Sequence, residues 1–188
     1  MKSKQVYIRV LEFEDVVRTQ PWLNRTDLGE IMGYLPRPLL QQQDWFRKVA
    51  NDPNRFIFAI CITKTNKHIG NVALSNVDWL HRHAMLSVFI ADPKHRNAGH
   101  GREAVALILN FGFMRLNLHK IFLKTSPEYP RALDFYRGLG FVQEGILRKH
   151  EYKYGEFRDK YLFGLLRDEY LAQAEAQQAV NPVRARRV

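Results

Sequence analysis

Hydrophobic positions along the chain follow two periods, which divide its 188 residues into strands and helices. Alternation of apolar and other residues, as at Val6, Ile8 and Val10, predicts strands, and so do short runs rich in Phe, Ile and Val. The predicted strands are residues 6–11, 55–63, 69–77, 84–91, 119–125, 141–154 and 156–165.

Apolar residues spaced three or four positions apart predict helices in most of the remaining segments. Ala104, Leu107, Ile108 and Phe111 show this spacing, and Pro and Gly residues mark where helices stop. The predicted helices are residues 13–24, 39–51, 102–117, 130–139 and 167–178. Residues 22–38 are predicted to form an irregular or partly helical connector.

The order of these elements indicates the fold class. Strands that can pair as hairpins come early, and a strand-helix-strand crossover comes late, which is typical of an α/β protein with a mixed, mostly antiparallel sheet flanked by helices. We therefore expect one domain over residues 1–178. Residues 179–188 are expected to form a disordered basic tail.

Composition narrows the protein class. The chain is 46% hydrophobic and 26% charged, which is typical of a folded globular domain. The single cysteine, Cys61, lies in an apolar run and is predicted to be a core residue, so neither an intramolecular disulfide nor a multi-cysteine zinc site is expected. We expect no metal, no signal peptide and no membrane span, and a cytoplasmic location.

A glycine-containing loop between the strand at 84–91 and the helix at 102–117 carries the clearest chemical signal. The first N–H groups of a helix lack internal partners, and the helix dipole adds positive charge, so such a junction binds anions. Gly99 and Gly101 allow the backbone to approach a phosphate closely. Three cations flank the loop: Lys94, Arg96 and Arg102. The pattern favours a phosphate or pyrophosphate site; a plain helix-capping turn is the alternative.

Two segments give the chain a resemblance to a known family. The loop Arg96-Asn97-Ala98-Gly99-His100-Gly101 resembles the R-x-x-G-x-G loop of the GNAT superfamily of acetyl-CoA-dependent N-acetyltransferases. Residues 131–141, RALDFYRGLGF, resemble the R-A-x-x-x-Y-x-x-x-G-F segment of that superfamily. Shorter matches at 116–121, 144–148 and 155–159 resemble the branch that contains the ribosomal-protein N-terminal acetyltransferases and many small-amine acetyltransferases. The resemblance covers roughly residues 5–170.

The resemblance implies a cofactor site and a mechanism. The GNAT sheet is splayed between strands four and five, and acetyl-CoA lies in that opening. The residues expected to bind it are Val88, Phe89 and Ile90 along the pantetheine arm, and Arg96, Asn97, Ala98, Gly99, His100 and Gly101 around the pyrophosphate. The substrate amine attacks the thioester directly, a base or water takes its proton, and a general acid protonates the thiolate.

Two tyrosines follow from the same resemblance. Tyr136 matches the general-acid tyrosine of the family, although its spacing alone would suit a packed tyrosine on an apolar helix face. Tyr129 stands where the family usually has an asparagine that contacts the cofactor arm, and we expect Tyr129 or the backbone to replace that contact.

The general base is left open by the sequence. Met85 stands where many relatives carry glutamate, and methionine cannot accept a proton. Candidates lie before the fourth strand and in the connector: Asp78, His81, His83, Asp27 and Glu30. Deprotonation by water, with no dedicated base, is the alternative.

The acceptor is also open. Residues 18–50 and the loops at 78–83 and 146–156 are expected to line its site, with Trp45 in the core. The first hypothesis is a small primary amine such as an amino sugar or polyamine; the second is the N-terminus of a protein such as a ribosomal protein. The net charge of +10 disfavours polycations. The cations form no single stripe with interleaved aromatics, so a nucleic-acid-binding module is the third and weakest hypothesis. A homodimer is common in this family.

Overall fold

The structure is a computed structural model that describes residues 1–33 and 35–180. The strands are Val6–Val10 (β1), Phe56–Ile62 (β2), His68–Asp78 (β3), His83–Ile90 (β4), Lys120–Thr125 (β5), Val142–Lys153 (β6) and Glu156–Leu166 (β7). The α-helices are Phe13–Leu23 (α1), Thr26–Met32 (α2), Leu39–Ala50 (α3), His100–Asn110 (α4), Pro130–Arg137 (α5) and Arg167–Val180 (α6). Residues 181–188 of the predicted tail lie outside the described part of the chain, whereas 179 and 180 complete α6.

The strands form one sheet in the order β1-β2-β3-β4-β5-β7-β6. Neighbouring strands are antiparallel except for β4 and β5, which are parallel. The parallel pairing covers only His83 to Met85 on β4, and the two strands then separate. The α/β class, the mixed and mostly antiparallel sheet and the opening between strands four and five are therefore confirmed.

The two faces of the sheet are covered differently. On one face, Leu86 is buried and Val88 and Ile90 pack against the main hydrophobic core, which includes residues of α4 and α5. Cys61 is fully buried, which confirms its predicted core position. On the opposite face, the alternate β4 residues line a cavity beneath α1, α2 and α3. Strand alternation thus divides β4 between a core and a cavity.

Two helices differ in detail from their prediction. Helix α4 begins at His100 rather than at residue 102, because Gly99 (φ 84°) adopts the left-handed conformation just before it. After Asn110 the helix widens into a π-helical turn over Phe111–Arg115 instead of continuing regularly to 117. Part of the predicted connector is the short helix α2. No helix within residues 1–33 and 35–180 is both long and apolar enough to cross a membrane.

Candidate active site

The glycine loop presents a row of backbone N–H groups at the start of α4. Asn97 (φ 59°) and Gly99 (φ 84°) both adopt the left-handed conformation, which Asn and Gly tolerate better than other residues. The first backbone donor of the helix with an acceptor is Glu103, whose N–H binds the carbonyl of Gly99. In the described chain, the N–H groups of residues 97–102 have no acceptor. The loop can therefore hold an anion through its backbone.

The side chains of this loop mainly hold the loop in place. Arg96 donates through Nε to the carbonyl of Ile90 at 2.9 Å, and through Nη2 to the carbonyl of Ala91 and to Asp27 Oδ2, both at 3.2 Å. Arg102 donates to the carbonyl of Gly138 at 2.9 Å, which joins α4 to the end of α5. These guanidinium groups therefore support the anion site, and its N–H donors come from the backbone.

Tyr136 lies on α5 among aromatic rings. Its ring meets those of Phe135 and Phe141 edge-on, with centroids 5.1 and 5.9 Å away. Burial raises the pKa of the Tyr136 hydroxyl to about 12, because the charged phenolate is poorly solvated there. The hydroxyl is therefore protonated at neutral pH, as a general acid requires.

Tyr129, just before α5, contacts a buried lysine that the sequence analysis missed. The hydroxyl of Tyr129 is hydrogen-bonded to Nζ of Lys153, whose ammonium also lies 5.0 Å from the tyrosine ring centroid. Lys153 is only 8% exposed. Burial opposes the charge of Lys153, but the tyrosine contact outweighs it and raises the pKa of the ammonium group. No local motif could reveal this pair, because its members lie on different elements and 24 residues apart.

A cavity of about 360 Å³ lies on the other face of β4, beside the β4–β5 opening. Met85, Ser87 and Phe89 line it, and α1 to α3 form its roof. Several residues of segment 18–50, which the sequence predicts at the acceptor site, therefore line this cavity. Trp45, predicted to lie in the core, instead lines the cavity and is only half-buried, because α3 covers the cavity rather than the main core.

The predicted base candidates lie elsewhere. Asp78 accepts a hydrogen bond from the N–H of His81 and lies 3.9 Å from His83 Nε2. Asp27 is bound by Arg25 and Arg96, whereas the side chain of Glu30 lies outside the described structure. Among the described residues that line the cavity there is no aspartate, glutamate or histidine.

A buried polar group supports one wall of the cavity. His68 Nε2 lies 2.7 Å from Asn71 Oδ1 and 2.9 Å from the carbonyl of Gly70, and His68 Nδ1 lies 3.5 Å from Asp15 Oδ1. Burial lowers the pKa of His68 despite these contacts. Asn71 itself lines the cavity, so this buried group fixes one of its walls.

Within the part of the chain that the structure describes, no group of three or more His, Cys, Asp and Glu side chains is arranged to hold a metal ion.

Comparison with known proteins agrees with this geometry. The family model described as "Acetyltransferase (GNAT) domain" matches residues 5–142. The chain is 36% identical to a spermidine N(1)-acetyltransferase of Vibrio cholerae over 107 residues, which span 57% of this chain and 61% of that protein. It is 32% identical to the spermidine N(1)-acetyltransferase of Escherichia coli K12 over 173 residues, 91% of each chain. A crystal structure of the Vibrio cholerae spermidine N-acetyltransferase with CoA and spermine superposes with a TM-score of 0.85 at 27% identity, covering 90% of this chain and 99% of the other.

Proposed function

The chain belongs to the GNAT acetyltransferase family and is an acetyl-CoA-dependent N-acetyltransferase; we propose that its catalytic centre is the opening between β4 and β5. The observation that carries this proposal is the position of the opening. It lies between the row of N–H groups at 97–102 and the cavity under α1 to α3. Acetyl-CoA can enter from one side of the sheet while a small primary amine enters from the other.

The cofactor is proposed to bind mainly through backbone groups. The side chains of Val88 and Ile90 pack on the core and that of Phe89 faces the cavity, so the backbone of these residues is what remains for the pantetheine arm. Beyond Met85 this edge of β4 is not paired with β5. The pyrophosphate is proposed to lie on the loop from Arg96 to Gly101. Tyr129 is proposed to border the arm through its ring, since its hydroxyl is bound to Lys153.

The reaction follows from these positions. The lone pair of the neutral amine attacks the thioester carbonyl carbon, the C–S bond breaks, and the CoA thiolate leaves. We assign Tyr136 as the donor of a proton to that thiolate. The pKa of Tyr136 exceeds that of a thiol, so the tyrosinate is short-lived and regains a proton from the acetylated nitrogen through water.

The ribosomal-protein N-terminal branch supplies a second candidate acceptor, a protein N-terminus. The segments at 144–148 and 155–159 favour it by resemblance, and the net charge of +10 would favour approach to RNA-rich particles. However, Glu144 is bound to Lys120 at 2.7 Å, and Gly155 (φ 82°) forms the β6–β7 turn. Because structural roles explain these two residues, we place the small amine first.

An acceptor panel tests the proposal. CoA release is measured with purified protein, acetyl-CoA and a set of amines that includes spermidine, glucosamine, an amino acid and a short peptide with a free N-terminus. At least one small amine should accelerate CoA release above hydrolysis, and calorimetry should show acetyl-CoA binding. If no amine does so, or if acetyl-CoA does not bind, the proposal fails; if the peptide is the best acceptor, the second candidate replaces the first.

The domain and its assembly are part of the same proposal. We propose that residues 1–178 form one domain that works in the cytoplasm as a homodimer. Strand β6 is an edge strand, and its Val142, Ile146 and Tyr152 are exposed apolar side chains. Light scattering on the purified protein decides whether it assembles: a monomer at assay concentration would contradict this part.

A further inference from the structure

We propose that the acceptor is a primary amine that also carries an anionic group, a carboxylate or a phosphate, rather than a polyamine. This inference rests on the proposed function and names the substrate class of the same site. The charge of the cavity wall supports it. Four cationic residues line the cavity: Arg37, Arg55, Lys124 and Lys160. As noted above, none of the described lining residues carries a carboxylate.

Carboxylates near these cations leave part of the positive charge uncompensated. Lys160 lies 2.8 Å from Glu151, with both side chains 16% exposed, and Arg55 lies 3.6 Å from Asp52. Neither acid lines the cavity. Nζ of Lys124 lies 3.2 Å from Nε2 of His150, and Lys124 forms no ion pair with a described carboxylate. Lys124 therefore brings to the cavity a charge that no acid neutralises.

Hydrogen-bond donors in the cavity wall also favour a ligand with an anionic group. Nε of Arg55 is buried and has no partner within hydrogen-bond distance in the described structure, since its nearest acid oxygen, Asp52 Oδ2, lies 3.6 Å away. Oδ1 of Asn71 is engaged by His68, which leaves the amide N–H groups of Asn71 as its available polar atoms. Buried donors without acceptors are costly unless a ligand supplies oxygen atoms. Carboxylate and phosphate groups supply such oxygens and suit a guanidinium best.

A polyamine has no anionic group that could pair with the cations of this wall. Only the nitrogen that attacks needs to be neutral, and the remaining ammonium groups of a polyamine would face Arg55, Lys124 and Lys160. Like charges at close range repel each other, and more strongly where water is excluded. An amine with an anionic group instead places its negative charge on these cations and leaves its amino group toward the thioester. This chain therefore differs in its expected acceptor from the relatives that are named for spermidine.

Matched pairs of acceptors test this inference. Values of kcat/KM are compared at saturating acetyl-CoA for glucosamine and glucosamine 6-phosphate, for alaninamide and alanine, and for spermidine. The phosphate pair and the carboxylate pair show which of the two anionic groups the cavity recognises. We expect one anionic member to exceed its neutral twin at least tenfold and to exceed spermidine by more. Spermidine as the best acceptor, or twins with equal kcat/KM, would overturn the inference.

Charge reversal at Lys124 makes the test specific to this wall. Lys124→Glu should reduce the preference for the anionic twin at least tenfold and raise kcat/KM for spermidine, with acetyl-CoA binding unchanged. Lys48→Glu, at an exposed position on α3 outside the cavity, makes the same charge change and should leave the preference as it is. Lys124→Gln gives a smaller shift in the same direction if the Glu variant does not fold.

The outcomes also separate this inference from the proposed function. An unchanged preference in both folded Lys124 variants would show that the anion is not read here, and the inference would be wrong while the acetyltransferase activity stands. If no amine accelerates CoA release at all, the proposed function is wrong, and so is the inference that rests on it.

Discussion

The two sides of β4 are built on different principles. On the α4 and α5 side, Val88 and Ile90 pack on an apolar core, and the loop that we propose binds the cofactor is one short continuous stretch of sequence. On the other side, a cavity is assembled from helices α1 to α3 and several strands. The cofactor side therefore has a sequence signature, whereas the acceptor side has a charge pattern that emerges only on folding.

The difference extends to what holds each side in place. The cofactor side relies on apolar packing, with fully buried Ile108, Phe113 and Ile121. On the acceptor side, the buried carboxylate of Asp15 on α1 binds Arg9 of β1 and helps hold the cavity roof on the sheet. Apolar packing is insensitive to pH, but a buried ion pair is not, so acid should affect the acceptor side first.

The largest effect is expected at the point where the two sides meet. Tyr136→Phe removes the proton donor and keeps the ring, so kcat should fall about 100-fold or more, in the range that general acids contribute. The dissociation constant for acetyl-CoA should not change, because the hydroxyl is proposed to act on the leaving thiolate only. Steady-state kinetics and calorimetry measure the two quantities.

A second tyrosine provides the control for this variant. Tyr7 lies on β1, with its hydroxyl 3.3 Å from Asn66 Oδ1, and it lies outside the proposed site. Tyr7→Phe should retain wild-type kcat. If Tyr136→Phe also retained wild-type kcat, Tyr136 would be only a packed core residue, as its spacing alone suggested.

The next effect concerns the ion pair on the acceptor side. Burial would raise the pKa of Asp15, but the hydrogen bonds from Arg9 and from the N–H of Glu12 outweigh it and hold the pKa at about 2, below its ordinary value of 3.8. A lowered native pKa stabilises the fold above pH 3.8, and this contribution is lost as the pH falls toward 2. It amounts to about 2 kcal/mol.

Urea unfolding at pH 7 and at pH 2 to 3 measures this contribution. Asp15→Asn should lower the free energy of unfolding at pH 7 and flatten its dependence on acid pH. The matched control is Asp44→Asn, because Asp44 pairs with Arg47 at 2.7 Å but its side chain is 54% exposed. An exposed pair contributes little, so this variant should retain the wild-type acid dependence. Equal acid profiles for the wild type and Asp15→Asn would contradict the role of Asp15.

Local patterns in the sequence predicted most of the fold. Strand alternation depends on neighbours two residues away, so all strands of the sheet were predicted, and Gly99 marked the start of α4 within two residues. The π-helical turn was not predicted; Gly112 lies within it, close to β5, where an added Cβ would lie 2.7 Å from the end of the Ile121 side chain. Such contacts between distant elements leave no periodic signal.

The site divides in the same way. The proposed anion loop and the position of Tyr136 are local motifs, so both could be recognised from the sequence alone. Two other features could not be predicted from the sequence: the contact between Tyr129 and Lys153, and the charged cavity wall. Both join residues that lie far apart in sequence. Trp45 shows the limit, since an aromatic residue at helical spacing looks the same whether its helix covers a core or a cavity.

The smallest effect separates backbone strain from cofactor binding. Gly99 and Gly155 both have positive φ angles, 84° and 82°, but only Gly99 lies in the proposed anion loop. A β-branched residue is strained at such angles, by about 1–2 kcal/mol, wherever it stands. Gly99→Val should turn the N–H groups away and raise the dissociation constant of acetyl-CoA about tenfold, equivalent to about 1.4 kcal/mol.

Gly155→Val is the control, because a Cβ there would meet no atom within 4 Å and the turn lies in the β6–β7 hairpin. Both variants should lower the melting temperature by similar amounts, while only Gly99→Val weakens acetyl-CoA binding in calorimetry. Equal dissociation constants in the two variants would mean that the loop backbone does not bind the pyrophosphate. The sequence motif would then have predicted a pyrophosphate site that does not exist. Only the cavity would still distinguish the two sides of β4.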